Sequence, residues 1–212
     1  MAIDLQPGQT FLFIGDSITD CGRRDEPEGL GHGYVRLIRD YLAAKNPASA
    51  PRVINTGISG NKVTDLAARW KQDVIDHDPD VVSISIGIND VWHGLGNNGE
   101  GGVPIERFVD IYHVILRQLQ GAVPKAKIVL CQPTVIEPPA PAMGNAALQP
   151  YVRAIGELKR EFAAAAMVPL HGAFVNAKKI RPDIAWAPDG VHPESTGHML
   201  IARTWLAETG LL

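Results

Sequence analysis

Short apolar runs alternate with amphipathic stretches along this chain. Residues 11–15 (FLFIG), 52–56 (RVINT), 81–86 (VVSISI) and 127–131 (KIVLC) are rich in β-branched or aromatic residues and bounded by turn residues. Such runs predict strands buried on both faces. Residues 167–170 (MVPL) predict a fifth. Between the strands, apolar positions recur at helical spacing, as in Tyr34, Ile38 and Tyr41, and again in Ile105, Phe108, Ile111, Ile115 and Leu119. Further helices are predicted over 63–76, 148–166 and 195–208. The alternation predicts an α/β fold, a mostly parallel sheet of about five strands covered on both faces. Nothing in the chain reads as a linker, so residues 1–212 are expected to form one domain.

In such sheets ligands bind beyond the carboxyl ends of the strands. After the first strand comes Asp16-Ser17, after the second Thr56-Gly57-Ile58-Ser59-Gly60-Asn61, and after the third Gly87-Ile88-Asn89-Asp90. Before the last predicted helix stands Asp189-Gly190-Val191-His192-Pro193. Two looser stretches, glycine-rich 94–102 and proline-rich 133–150, also follow strands and are expected to overhang the binding face.

Each of these groups has an ordinary reading when taken alone. Ser17-Ile18-Thr19-Asp20 fits a helix-capping pattern, and Asn89-Asp90 suits another cap. Gly57 and Gly60 mark a turn. A lone His192 is commonly a surface or packing residue. Together, however, they meet the needs of acyl transfer: a hydroxyl nucleophile, a base, an acid that orients the base, and donors for the oxyanion. Ser17 can attack and His192 can accept its proton through Nε2. Asp189, three residues earlier, can hold His192 Nδ1–H. The backbone N–H groups of Ser17 and Gly60 and the Asn89 amide can form the oxyanion hole. The pattern differs from the Gly-x-Ser-x-Gly elbow of α/β-hydrolases.

The four blocks Gly15-Asp16-Ser17-Ile18, Gly60 in ISGN, Gly87-x-Asn89-Asp90 and Asp189-x-x-His192 resemble those of the SGNH hydrolases, the GDSL esterase/lipase superfamily. Ile18 stands where that family usually has leucine. The resemblance implies a flavodoxin-like three-layer α/β/α sandwich. It also implies Ser17 as nucleophile, His192 as base, Asp189 as orienting acid, and Ser17, Gly60 and Asn89 as oxyanion donors. No cofactor and no metal are needed. The longer strings FIGDSITDCGR, GLGHGYV, ISGNKVTDLAARW, SIGINDVWH and DGVHPESTGHMLIA are similar to bacterial acetylxylan esterases and related carbohydrate deacetylases of this superfamily. That implies removal of acetyl groups from xylo-oligosaccharides or related small-molecule esters. Asp16, Trp92 and Trp186 are candidate substrate contacts. Some relatives carry tryptophan directly before the DxxH aspartate, whereas here Trp186-Ala187-Pro188 precedes Asp189.

Composition narrows the partners. The 212 residues carry a net charge of −3, which supplies no basic footprint for nucleic acid. No segment approaches the ~18 apolar residues of a membrane span, and MAIDLQPGQT lacks the features of a secretory signal. The two cysteines, Cys21 and Cys131, make no disulfide framework, so a reduced cytoplasmic protein is expected. Self-association into a homo-oligomer is left open. Trp70 and Trp205 are read as core, Cys21 as buried and not catalytic, and Asp76-His77-Asp78-Pro79-Asp80 as a solvated loop at the far edge of the sheet. The rivals are a lysophospholipase or thioesterase of the same superfamily, a glycosidase pairing Asp16 with Asp90, and a non-catalytic carbohydrate-binding protein.

Overall fold

The structure, a computed structural model, describes residues 3–95, 98–137 and 143–212. Five strands form one parallel sheet: β1 (Thr10–Gly15), β2 (Arg52–Asn55), β3 (Val81–Ser85), β4 (Lys127–Cys131) and β5 (Ala166–Val168). Their order is β2-β1-β3-β4-β5. β1 is an interior strand, with Phe11 paired to both Val53 and Val81. Its Phe11, Leu12, Phe13 and Ile14 are fully buried, as a strand covered on both faces requires.

Eight α-helices connect or follow the described strands: α1 (Ser17–Asp20), α2 (Tyr34–Lys45), α3 (Val63–Asp73), α4 (Ile88–Trp92), α5 (Ile105–Ala122), α6 (Gly144–Glu161), α7 (Leu170–Ile180) and α8 (Ser195–Thr209). Right-handed crossovers put α2 on one face and α3 and α5 on the other, because the chain leaves β1 in one direction and then returns past it. α8 packs against α2 and α7, while α6 packs against α5. Trp205 of α8 lies against Phe11 and Phe13, with ring centroids 6.3 and 5.4 Å away, and its Nε1 donates to Ser83 Oγ at 3.0 Å. Trp70 is equally buried in α3, so both tryptophans are core as expected.

Three details differ from the sequence reading. α6 starts earlier than 148–166, at Gly144, and ends earlier, at Glu161, because Ala163 adopts a left-handed turn before β5. The fifth strand is 166–168, and Pro169 then caps a further helix, α7, that the sequence reading did not identify. The region predicted as one helix over 63–76 breaks after Asp73 into a short 3-10 turn at Ile75–His77. Asp76, Asp78 and Asp80 lie at the amino end of β3 and pair with Lys71 and Lys125, the solvated arrangement expected. No described helix is long and apolar enough to cross a membrane.

Candidate active site

The strand order reverses between β1 and β3, and a crevice opens beyond their carboxyl ends at such a point. Ser17 follows β1 and Asn89 follows β3, so the topology alone brings them to one edge.

Asp16 is the N-cap of α1. Its backbone is extended and its Oδ1 accepts the Ile18 N–H at 3.0 Å. The cap is therefore Asp16 and not Ser17, which frees the Ser17 hydroxyl. Asp16 is only 2 % exposed, so the expected substrate contact is not available to it; desolvation pushes its carboxyl up to about 7. Ser17, the first residue of α1, is half-buried. Its Oγ lies 2.9 Å from His192 Nε2.

The third member comes from the turn before α8. Asp189 Oδ1 accepts the backbone N–H groups of Val191 and His192 at 2.9 and 2.7 Å, and Oδ2 lies 2.6 Å from His192 Nδ1. One oxygen shapes the turn and the other fixes the ring, so Nδ1 carries the hydrogen and Nε2 faces Ser17. Partial burial pushes the Asp189 carboxyl up, but the hydrogen bonds from the ring and the two N–H groups outweigh it, and its pKa is held below the ordinary value. About half of the Asp189 and His192 side-chain surface is open to solvent. Trp92, at the end of α4, stands beside the His192 ring with centroids 6.3 Å apart.

The second block packs directly on α1. A Cβ at Gly57 would stand 2.4 Å from the Asp20 backbone nitrogen, so only glycine permits this approach. Gly60 turns at φ +80 and is exposed. Asn89 Nδ2 donates to the Asn61 carbonyl at 3.1 Å, which fixes the plane of its amide. Among the described residues, the N–H groups of Ser17 and Gly60 have no protein acceptor. The Ser17 and Gly60 N–H groups are thus uncommitted donors, and the Asn89 amide has a second hydrogen beyond the one given to Asn61, which is the supply that an oxyanion hole needs.

Several supporting residues were missed from sequence. Arg69 of α3 donates to the carbonyls of Thr56 and Gly15 at 2.6 and 3.2 Å and to Asn61 Oδ1 at 2.9 Å. It clamps the ends of β1 and β2 together. Asn55 donates to the carbonyls of Thr19 and Leu30 at 2.7 and 2.8 Å. Asp90 is not a cap of its own helix. Its Oδ1 accepts the Val63 N–H of α3 at 3.0 Å, while Oδ2 is buried without a partner among the described residues. Desolvation pushes the Asp90 carboxyl up to about 7, and the nearby Asp16 charge adds to the effect. Asp90 borders a hollow of about 320 Å³, but Asp16 is enclosed and spent on capping α1, which leaves the paired-carboxylate glycosidase without its second carboxyl.

Cys21 has a histidine neighbour that its sequence surroundings do not show, His198 of α8, with Sγ 3.4 Å from Nε2. Tyr34 N–H donates to His198 Nδ1 at 3.2 Å, so Nε2 bears the hydrogen. Burial holds His198 down at about 4 and raises the Cys21 thiol. Both stay neutral, and the pair is packing. Trp186 donates its Nε1 to the Arg181 carbonyl at 3.0 Å and lines a hollow with Glu137, Lys178, Pro182 and Pro188 that neither Ser17 nor His192 shares. Its expected substrate contact is therefore not seen. Residues 96–97 and 138–142 of the two overhanging stretches lie outside the described residues.

The model of the GDSL-like lipase/acylhydrolase family matches residues 13–200. The chain is 42 % identical to an acetylxylan esterase of Geobacillus stearothermophilus, covering 96 % of this chain and 94 % of the relative. Among solved structures, the acetylxylan esterase Axe2 of Geobacillus stearothermophilus superposes with a TM-score of 0.86 at 36 % identity, covering 98 % of this chain and 97 % of the other. A candidate GDSL-like lipase of Parabacteroides merdae superposes with a TM-score of 0.90 at 35 % identity over 100 % of both chains.

Proposed function

The chain belongs to the GDSL-like lipase/acylhydrolase family, and from that premise we propose that it deacetylates xylo-oligosaccharides or related carbohydrates through an acyl-enzyme on Ser17. Its class is that of a carboxylic ester hydrolase resembling acetylxylan esterases. One observation carries the mechanism: the continuous relay Ser17 Oγ, His192 Nε2, His192 Nδ1, Asp189 Oδ2, with links of 2.9 and 2.6 Å.

Ser17 Oγ attacks the acyl carbonyl carbon while His192 Nε2 takes the hydroxyl proton. The carbonyl oxygen becomes an oxyanion among Ser17 N–H, Gly60 N–H and Asn89 Nδ2. Asp189 holds the ring in the tautomer that accepts at Nε2 and stabilises the imidazolium that forms. The proton then passes from His192 to the leaving sugar oxygen, the carbon–oxygen bond breaks, and the acyl group remains on Ser17. Water, activated by the same imidazole, releases it and restores the serine. Supporting this assignment, alanine variants of a serine, an aspartate and a histidine of Axe2 have been solved as catalytic mutants, the last two residues three positions apart as Asp189 and His192 are. Trp92, beside His192, lines the substrate side of the site.

We further propose one domain over the chain and a reducing, cytoplasmic setting, in keeping with its two free cysteines. The test is a substrate panel. Acetylated xylo-oligosaccharides are expected to be hydrolysed, with acetyl strongly preferred over octanoyl among simple esters. A preference that rises with chain length would instead favour a lysophospholipase-like or thioesterase-like member.

A further inference from the structure

A polar hollow of about 420 Å³ adjoins the site, lined by Asp20, Gly22, Arg24, Asp25, Ile58 and Ser59. Its walls continue the two segments that carry the reaction. Asp20 ends the short helix that Ser17 begins, and Ser59 immediately precedes Gly60. The hollow is thus bounded by the same two segments that carry Ser17 and Gly60.

The backbone around the hollow is fixed. Asp20 Oδ2 accepts both the N–H and the Oγ of Ser59 at 3.0 Å, joining the two walls. Arg23 donates to the Gly57 carbonyl at 2.5 Å. The Glu26 carboxylate accepts the N–H groups of Glu28, Leu30 and Gly31 and pairs with Arg36. Arg36 and Arg39 both pair with Glu28. Against this network two side chains stand out. Arg24 and Asp25 are exposed on the rim, and neither makes a side-chain hydrogen bond or ion pair among the described residues.

A guanidinium fork and a carboxylate on consecutive residues at the rim of a hydrogen-bonded loop suit a ligand that both donates and accepts hydrogen bonds at closely spaced points. Adjacent sugar hydroxyls do this; a fatty acyl chain or an aromatic leaving group does not. Preorganisation of the loop lowers the ordering cost of binding. We propose that Arg24 and Asp25, with the Ser59 edge, form a glycan subsite that binds the hydroxyls of the sugar residue next to the acetylated one. The subsite rests on the carbohydrate-ester reading above and names where its specificity resides.

The experiment compares p-nitrophenyl acetate with acetylated xylotriose in wild type, R24A, D25A and the double variant, with folding checked by thermal melts. For p-nitrophenyl acetate, too small to reach the hollow, kcat/KM stays within about twofold. For acetylated xylotriose it falls about tenfold or more in the double variant, mainly through KM. Equal losses on both substrates would reveal a structural role, and no loss on either would leave the side chains without one; each result overturns the subsite while the esterase stands. A wild type that cleaves p-nitrophenyl acetate but not acetylated xylotriose overturns the carbohydrate reading itself, and the subsite with it.

Discussion

Asp90 Oδ1 accepts the Val63 N–H at 3.0 Å, and through that bond the segment carrying Asn89 is tied to the start of α3. Asn89 itself is tied to Asn61 at 3.1 Å, in the loop that leads into α3. The side-chain donor and the Gly60 N–H are therefore set relative to each other by two bonds between the same two segments. In the proposed mechanism Asp90 is a positioning residue for the oxyanion hole.

Removing the anchor is expected to loosen the hole. Asp90→Ala lowers kcat roughly tenfold or more, since small displacements of catalytic groups are costly. The loss shrinks when the same change is made in an Asn89→Ala background, because the donor being positioned is already gone. Steady-state kinetics on the four proteins of this cycle measure the coupling. Additive losses would separate Asp90 from Asn89.

Asn89→Ala alone lowers kcat by about 10²–10³ with little change in KM, because its amide matters most as charge develops on the carbonyl oxygen. A loss confined to KM would make Asn89 a substrate-binding residue instead.

The buried carboxyls give a prediction about stability. Burial raises Asp16 and Asp90 from the ordinary 3.8 to about 7. Between those values the folded chain binds more protons than the unfolded chain. The stability linked to these protons is complete below the ordinary carboxylate pKa and is lost as pH rises through about 7. The Asp189 carboxyl is shifted the other way, and its contribution disappears only on acidification below the ordinary range. The melting temperature is expected to fall from about pH 5 to about pH 8.5, and to fall less in Asp90→Asn, which keeps an acceptor for Val63 without a charge. Identical pH dependence in the two proteins would contradict the assignment.

The strands were legible in the sequence because burial on both faces leaves continuous apolar runs such as FLFI, and the four functional blocks because each follows a strand or a turn. What escaped the sequence is what depends on partners distant along the chain. Asp90 caps a helix 27 residues earlier in the chain, and His198 meets Cys21 across 177 residues. Arg69 carried a faint signal in its i,i+4 pairing with Asp73, which is present at 2.6 Å. The helix α7 begins directly after a strand, with Gly172 in its first turn and no side-chain cap, so its start had no local signature.

The most direct measurement concerns Ser17. The protein is treated with a fluorophosphonate, the labelled peptide is identified by mass spectrometry, and hydrolysis of p-nitrophenyl acetate is followed in parallel with Ser17→Ala. The expected result is one phosphonyl adduct on Ser17, loss of activity in proportion to labelling, and a Ser17→Ala protein that folds but neither labels nor turns over. Hydrolysis that persists after full modification of Ser17, or an adduct found only at another residue, would contradict the account.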